Sequence, residues 1–506
     1  MAGQSHNSPS PSSQHNTLMA IASGFECLQN FEMEPYFRYT RLDCTALVTA
    51  DAIPAKIRGV LANAYIAQTG TEPSMKALNV VVETVLERCG ASIPTQVPYR
   101  LCRAMVERET VLCLDLGSHE WGAVIVSPSR GVQYTPLSPI PFRRPEGTKP
   151  LPIPTPDPHG RGVMDLLQEY APLPTEEQQV LRLGFMLCCL WPVGPYPILS
   201  LTGPPESGKG YHARLIRETV DPVYAPFQGI PANERDLLLD CYQERVPVLD
   251  NISRLPGWGA NALCRISTGA SLKKKRMYAD KARISVKVCN PLMVTSIGRV
   301  LTHADLVSRS IILELPRVPD KGRWDETDRL EEYEGVLPYV LHGLLVIIQS
   351  TLKRYPTAME EEQSRLTPLF RLMGVAEREL GWGPGTFLRA YTKNRSLGHD
   401  SILDEIPYII AIRDIVKEAE MGAKAGTPAP YWEGTSGELM RMLKDRVAPS
   451  LRGDDWPTSE KDLTNQLRDI APSLEDLGFR FTYNVRHTRL GRLHRLQRRR
   501  EEDEEQ

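Results

Sequence analysis

Gly203-Pro204-Pro205-Glu206-Ser207-Gly208-Lys209-Gly210 is the stretch that decides the fold. It fits G-x-x-x-x-G-K. The apolar strand Ile198-Leu199-Ser200-Leu201 precedes it, and the helix-like run Tyr211–Val220 follows until Asp221-Pro222 stops it. Strand, glycine loop and helix in that order are what a phosphate-binding loop requires. Glycines let backbone N–H groups point at phosphate oxygens, the helix N-terminus adds positive potential, and Lys209 reaches the β- and γ-phosphates. The expected nucleotide-binding residues are Gly203, Glu206, Ser207, Gly208, Lys209, Gly210 and Tyr211. One position departs from the pattern: Gly210 stands where a Ser or Thr hydroxyl binds Mg²⁺. Mg²⁺ then depends on water, the phosphates and a carboxylate elsewhere, which argues against fast hydrolysis.

The carboxylate is Asp250. Val246-Pro247-Val248-Leu249 is an apolar strand ending in Asp250-Asn251, 41 residues after Lys209. An Asp at the end of a buried strand beside the loop is the Walker B arrangement, which holds Mg²⁺ through water. Asn251 is placed to position an attacking water. Pro291–Ile297 is a further apolar strand, and its Thr295 is expected to sense the γ-phosphate. Arg309, just before the strand Ile311–Leu315, is the candidate arginine finger reaching a neighbouring subunit's nucleotide.

Between these strands lies Ser271–Val288, SLKKKRMYADKARISVKV, which reads as a β-hairpin. Seven basic residues, Lys273, Lys274, Lys275, Arg276, Lys281, Arg283 and Lys287, stand against one acid. Two readings stay open for it: a solvated basic edge that blunts aggregation, or a reader of phosphate backbone.

Working outward, Lys+Arg is 60 and Asp+Glu is 62 in 506 residues, so a polybasic coat is excluded and local basic patches are not. The ten cysteines show no C-x-x-C and no zinc spacing, and read as reduced thiols of a cytoplasmic protein. No apolar run is expected to reach the ~18 residues of a membrane span. The longest, Val336–Ile348, contains Pro338, His342 and Gly343. The N-terminus has no signal-peptide pattern.

The domain boundaries follow from composition. Residues 1–20 read as a disordered tail and 21–134 as a small α+β domain. Residues 135–160 read as a linker, because nine prolines fall between Pro136 and Pro158. The P-loop core is expected over 161–320, a helical lid over 321–396, a C-terminal domain over 397–500 and an acidic tail over 501–506. In the C-terminal domain, a capping box at Thr435 and a cap at Ser459 open two helices, and strands at Phe479–Val485 and Arg492–Gln497 flank a turn. Helix, helix and two-stranded wing make a winged-helix pattern, with seven arginines and no acid in 486–500.

Taken in order, GPPESGKG at 203–210, VLDNIS at 248–253, ALCRISTG at 262–269, KKRMYAD at 274–280, PLMVTSIG at 291–298 and ADLVSRS at 304–310 resemble the AAA+ core of superfamily 3 helicases. More closely they resemble the "ATP-binding protein" family found beside primases on bacterial mobile elements and phages. The resemblance covers roughly residues 100–495. It implies an α/β fold with a P-loop AAA+ core and a DNA-dependent ATPase using ATP and Mg²⁺. It also implies a hexameric ring, a helicase or helicase loader, and a possible primase partner. Lys209, Asp250, Asn251 and Arg309 match the family's residue types, and the basic hairpin occupies the place that faces DNA. Gly210-Tyr211 and Thr295 depart from it, and both departures touch catalysis. They favour the alternative of an ATP-binding, hydrolysis-poor DNA-binding switch or initiator. A nucleotide kinase, the third reading, needs neither hairpin nor wing. Arg365 is a weaker sensor candidate in the lid.

Overall fold

The computed structural model describes residues 11–43, 46–275, 283–298, 300–301, 303–319, 325–354, 366–405, 408–422, 431–449, 452, 456–471, 474, 478–488 and 491–498.

The N-terminal unit contains α1 (Pro11–Ser23), β1 (Glu26–Asn30), β2 (Pro35–Thr40), β3 (Leu47–Asp51), α2 (Pro54–Thr69), α3 (Met75–Gly90) and β4 (Pro94–Thr95). Its sheet runs β3-β2-β1-β4. In α3, Leu78, Val81, Val82, Val85 and Cys89 recur at helical spacing and are buried, and Ser74 caps the helix by accepting from the Ala77 amide. The expected tail is corrected here. Residues from Pro11 are helical, Leu18 and Ala22 pack with Phe37, Leu61 and Val85, and the Gln14 side chain accepts from the Ser74 amide. The Ser/Gln/Asn-rich composition hid a short helix that takes its stability from tertiary packing.

The next strands, β5 (Leu101–Val106), β6 (Glu109–Asp115), β7 (Ala123–Ser127) and β8 (Gly131–Thr135), form an antiparallel meander. The sequence assigned it to the N-terminal unit. Its residues Leu112, Leu114, Val124 and Val126 instead share one core with α4 (Val163–Tyr170) and α5 (Glu176–Cys189). The proline-rich stretch is extended, as proline's missing donor and fixed φ require, but it is a packed strap rather than a free linker. Phe142 and Leu151 are buried. Arg144 pairs with Asp115 at 2.5 Å, and the amides of Leu151 and Lys149 donate to Leu116 and Pro222.

The central body continues with β9 (Ile198–Thr202), α6 (Lys209–Val220), α7 (Glu234–Gln243), β10 (Val248–Leu249), α8 (Gly259–Thr268), β11 (Ala270–Lys275), β12 (Arg283–Val288), β13 (Leu292–Ser296), α9 (Ala304–Val307) and β14 (Ser310–Glu314). A parallel sheet runs β10-β13-β9-β14. Every residue of β9 and β13 is buried, which is why both read as continuous apolar runs. The Thr295 strand therefore lies between the loop strand and the Asp250 strand. All three end on the same edge, where open parallel sheets place their ligands.

Helices α10 (Glu326–Arg354), α11 (Thr367–Glu379) and α12 (Thr386–Glu405) follow. The expected lid is not set apart: α10 packs on α6 and α12 on α5, and all share the central core. Helix α10 also runs unbroken through Pro338, whose carbonyl accepts from the Thr155 amide of the strap. By length and composition α10 is apolar enough to cross a membrane, contrary to the sequence reading, and half of its most apolar window is buried inside the protein. The C-terminal unit is α13 (Ile409–Met421), β15 (Tyr431–Thr435), α14 (Ser436–Arg446), α15 (Glu460–Asp469), β16 (Phe479–Thr488) and β17 (Gly491–Arg498), with sheet order β15-β17-β16. Both expected caps form, with Thr435 accepting from Glu438 and Ser459 from Asp462. Arg276, Lys281, Arg365 and the acidic tail lie outside the described residues.

Candidate nucleotide-binding site

The loop leaves β9 and wraps to the start of α6. Gly203 is required by space, because a Cβ there would lie 2.3 Å from the Leu315 carbonyl oxygen. Gly208 adopts φ +74°, a left-handed conformation that opens the helix directly at Lys209. Glu206 also has positive φ, and its side chain pairs with Arg317 at 2.7 Å. The Lys209 ammonium folds back into the loop and donates to the carbonyls of Gly203 and Pro204, both at 2.8 Å, and to Ser207 Oγ at 3.3 Å. Burial pushes its pKa down, and Asp250 opposes that shift. The site thus holds one cation over its own backbone acceptors, where an anion would be a better partner.

At the ends of the neighbouring strands, Thr295 Oγ1 donates to Asp250 Oδ1 at 2.5 Å and accepts from the Asn251 amide at 2.8 Å. The Ile252 amide donates to the Thr295 carbonyl, and the Asp250 amide to the Gln228 carbonyl. Asn251 sits at φ +53° and is exposed. Lys209, Asp250, Asn251 and Thr295 therefore gather at one edge of the sheet. The loop, the ammonium and a carboxylate placed for a hydrated cation form a set that fits a nucleotide phosphate chain with Mg²⁺.

Two expected site residues are tied into the fold. Tyr211 is 2% exposed and its hydroxyl donates to the Tyr170 carbonyl, so it is held in the core while it lines a cavity beside the loop. Arg309 is corrected more sharply. It is 7% exposed, its Nη1 donates to the Asp305 carbonyl at 2.6 Å and pairs with the Asp305 carboxylate, and it approaches Cys264 Sγ. A trans-acting finger must stand clear of its own subunit, and this guanidinium is tied inside it.

Sequence reasoning missed the cavity beside the loop. It measures about 550 Å³ and is lined by Pro172, Leu173, Ser207, His212, Leu315 and Val318, among others. Burial, helped by Arg182, lowers the His212 pKa to about 3, so its imidazole is neutral. A mostly apolar cavity against a phosphate loop, with Glu206, Arg317 and Glu326 also in its wall, suits the base of a nucleotide. Its walls come from before α5, from α6 and from after β14, and no local pattern links them.

The basic hairpin forms as expected. Lys273, Lys274 and Lys275 pair across it with Ser285, Ile284 and Arg283. Leu272, Val286 and Val288 are buried at its base, and Lys287 is exposed.

Residues 164–361 match the family model described as "Actinomycete integrative conjugative element replication protein". Residues 409–505 match the "AICE RepA C-terminal domain". Both segments are similar to a replication protein of mobile elements. The first replication-protein segment holds the loop, Asp250, the hairpin, Thr295 and Arg309, and the second spans α13 to the end of β17. None of the curated proteins matches the chain. Among solved structures, "The A form apo structure of NrS-1 C terminal region-CTR" is 12% identical with a TM-score of 0.39, covering 98% of this chain and 100% of that one. A JCV helicase structure is 12% identical with a TM-score of 0.20, covering 47% and 70%. Scores at this level do not establish a shared fold.

Proposed function

We propose that this chain is a DNA-dependent ATPase of a mobile-element replication module, acting as a replicative helicase or helicase loader. The observation that carries the reading is the convergence of Lys209, Asp250 and Thr295 on adjacent parallel strand ends, with the basic hairpin leading directly into the Thr295 strand. Lys209 exchanges its carbonyl partners for the β- and γ-phosphates of ATP. Asp250 holds Mg²⁺ through water, and Asn251 orients the attacking water. The base occupies the cavity against His212 and Leu315. The fold is that of a P-loop AAA+ core joined to a winged-helix domain, in which α14 and α15 are followed by the β16–β17 wing. The working assembly is a cytoplasmic homo-oligomeric ring, and a primase is the fitting partner.

The experiment is ATP turnover with and without single-stranded DNA, beside Lys209→Ala. Turnover stimulated by DNA and lost in Lys209→Ala is the expected result. A second reading, an ATP-binding switch that barely hydrolyses, is favoured by Gly210 and by the commitment of the Thr295 proton to Asp250. Tight ATP binding with no detectable turnover on any DNA would decide for the switch.

A further inference from the structure

A second cavity, of about 440 Å³, lies at the opposite end of the same three strands. Pro192, Val193, Gly194 and Tyr196 lead into β9, Glu244 and Arg245 into β10 and Cys289 and Asn290 into β13, and all of them line it. It is therefore bounded by the N-terminal strand ends, whereas the loop, Asp250 and Thr295 occupy the C-terminal ends. Its other walls are Glu32, in the β1–β2 turn, and Arg143, in the strap.

Three cations meet there. The Arg143 guanidinium lies 4.2 Å from the centre of the Tyr242 ring and 5.6 Å from that of Tyr99. Arg245 lies 4.5 Å from the centre of the Tyr196 ring. Exposed Lys287, at the base of the basic hairpin, completes the set. Two acids also line the cavity. They are Glu32 and Glu244, and Glu244 is engaged by Arg217 at 2.6 Å. Arginines stacked on tyrosines, with a lysine beside them, are the chemistry that receives a base on a planar face and a phosphate on a cation.

The cavity is also wired to the catalytic edge. The Asn290 side-chain amide donates to the carbonyls of Cys241, Glu244 and Arg245 at 2.9, 2.7 and 3.1 Å. Asn290 thus pins the end of α7 to the start of β13, whose Thr295 holds Asp250.

We propose that this cavity binds one nucleotide unit of the single DNA strand that follows the basic hairpin, its phosphate against Arg143 and Lys287 and its base against the arginine–tyrosine stacks. The inference rests on the DNA reading of that hairpin. The strand then touches the N-terminal unit, the hairpin and the root of the Thr295 strand at one point.

The test uses the full chain and an oligothymidylate carrying one 5-iodouracil, irradiated and mapped by mass spectrometry. Cross-links to Tyr99, Tyr196 or Tyr242 are expected. Lys287→Ala should reduce them severalfold and lower the slope of log affinity against log salt by about 0.7, the value of one single-strand phosphate contact. Arg143→Gln should act alike, and Arg143→Lys should restore the slope. Thermal melting of each variant separates misfolding from lost contact. Cross-links confined to the hairpin, with affinity intact, would overturn the cavity site and leave the DNA reading standing. Failure of the oligonucleotide to bind would overturn both. Protection of the tyrosines by dTMP alone, as complete as by the oligonucleotide, would make this a free-nucleotide site and overturn the strand assignment.

Discussion

Thr295 Oγ1 lies 2.5 Å from Asp250 Oδ1, on the strand next to it, and donates its only proton there. The same oxygen accepts from the Asn251 amide. One hydroxyl therefore fixes both the carboxylate expected to hold Mg²⁺ and the residue expected to orient water. A hydroxyl so engaged cannot also donate to a γ-phosphate, so the role we propose for Thr295 is that of a positioning residue.

Thr295→Val removes both bonds while keeping the shape. ATP turnover should fall about tenfold or more, the rate equivalent of ~1.4 kcal/mol in the barrier, with the nucleotide dissociation constant little changed. Thr295→Ser should keep most of the rate. Equal losses in both variants would assign the residue to packing.

Gly210 has no heavy atom within 4 Å of where its Cβ would stand. Gly210→Ser should therefore fold without strain and supply the missing hydroxyl to Mg²⁺. Turnover at limiting Mg²⁺ should rise, and the Mg²⁺ concentration at half-maximal rate should fall. An unchanged Mg²⁺ dependence would mean that another group already fills that coordination position.

The parts legible in the sequence are those whose signal is local. The loop, the Asp250 strand, the hairpin and the helix caps at Thr435 and Ser459 each declare themselves within a single short stretch of chain. The misreadings arise where distant segments meet. Pro338 reads as a helix breaker, yet α10 continues through it because its faces pack on α6 and α11. Arg309 has the residue type of a finger, and only the fold reveals that Asp305 and Cys264 hold it inside. The cavity beside the loop joins residues from 172 to 326 and has no local pattern to find.

His212 gives the site a pH signature. Its folded pKa of about 3 lies below the unfolded value of 6.5, because burial disfavours the imidazolium. The unfolded chain therefore takes up the proton first as pH falls. The contribution to stability is complete above pH 6.5 and is lost progressively toward pH 3. Between pH 7 and pH 5 the loss is roughly 2 kcal/mol. Urea midpoints measured at pH 7, 6 and 5 should fall accordingly, and His212→Gln should flatten the trend while lowering the midpoint at pH 7. An equal slope in the variant would place the acid sensitivity elsewhere.

The last prediction separates the two basic elements. The hairpin continues through Cys289, Asn290 and Pro291 into β13, so displacement of Thr295 on hydrolysis reaches it through covalent backbone. The arginine-rich wing has no such path. Its Arg486 and Arg495 pair with Glu433, Arg492 donates to the Tyr483 hydroxyl, and Arg468 of α15 lies over the Tyr483 ring. Phe481 and Leu496 of the wing are core residues of the C-terminal unit, so truncation after Gly478 would unfold what it means to test. Point changes at exposed Arg486 and Arg492 avoid that. Lys274→Ala/Lys275→Ala should lower DNA-stimulated ATPase severalfold and leave basal ATPase unchanged. Arg486→Ala/Arg492→Ala should weaken DNA affinity yet restore full stimulation once DNA is saturating, if the wing recruits and the hairpin couples. Loss of maximal stimulation in the wing variant, with the hairpin variant fully stimulated, would reverse the assignment and leave the hairpin a solvated edge.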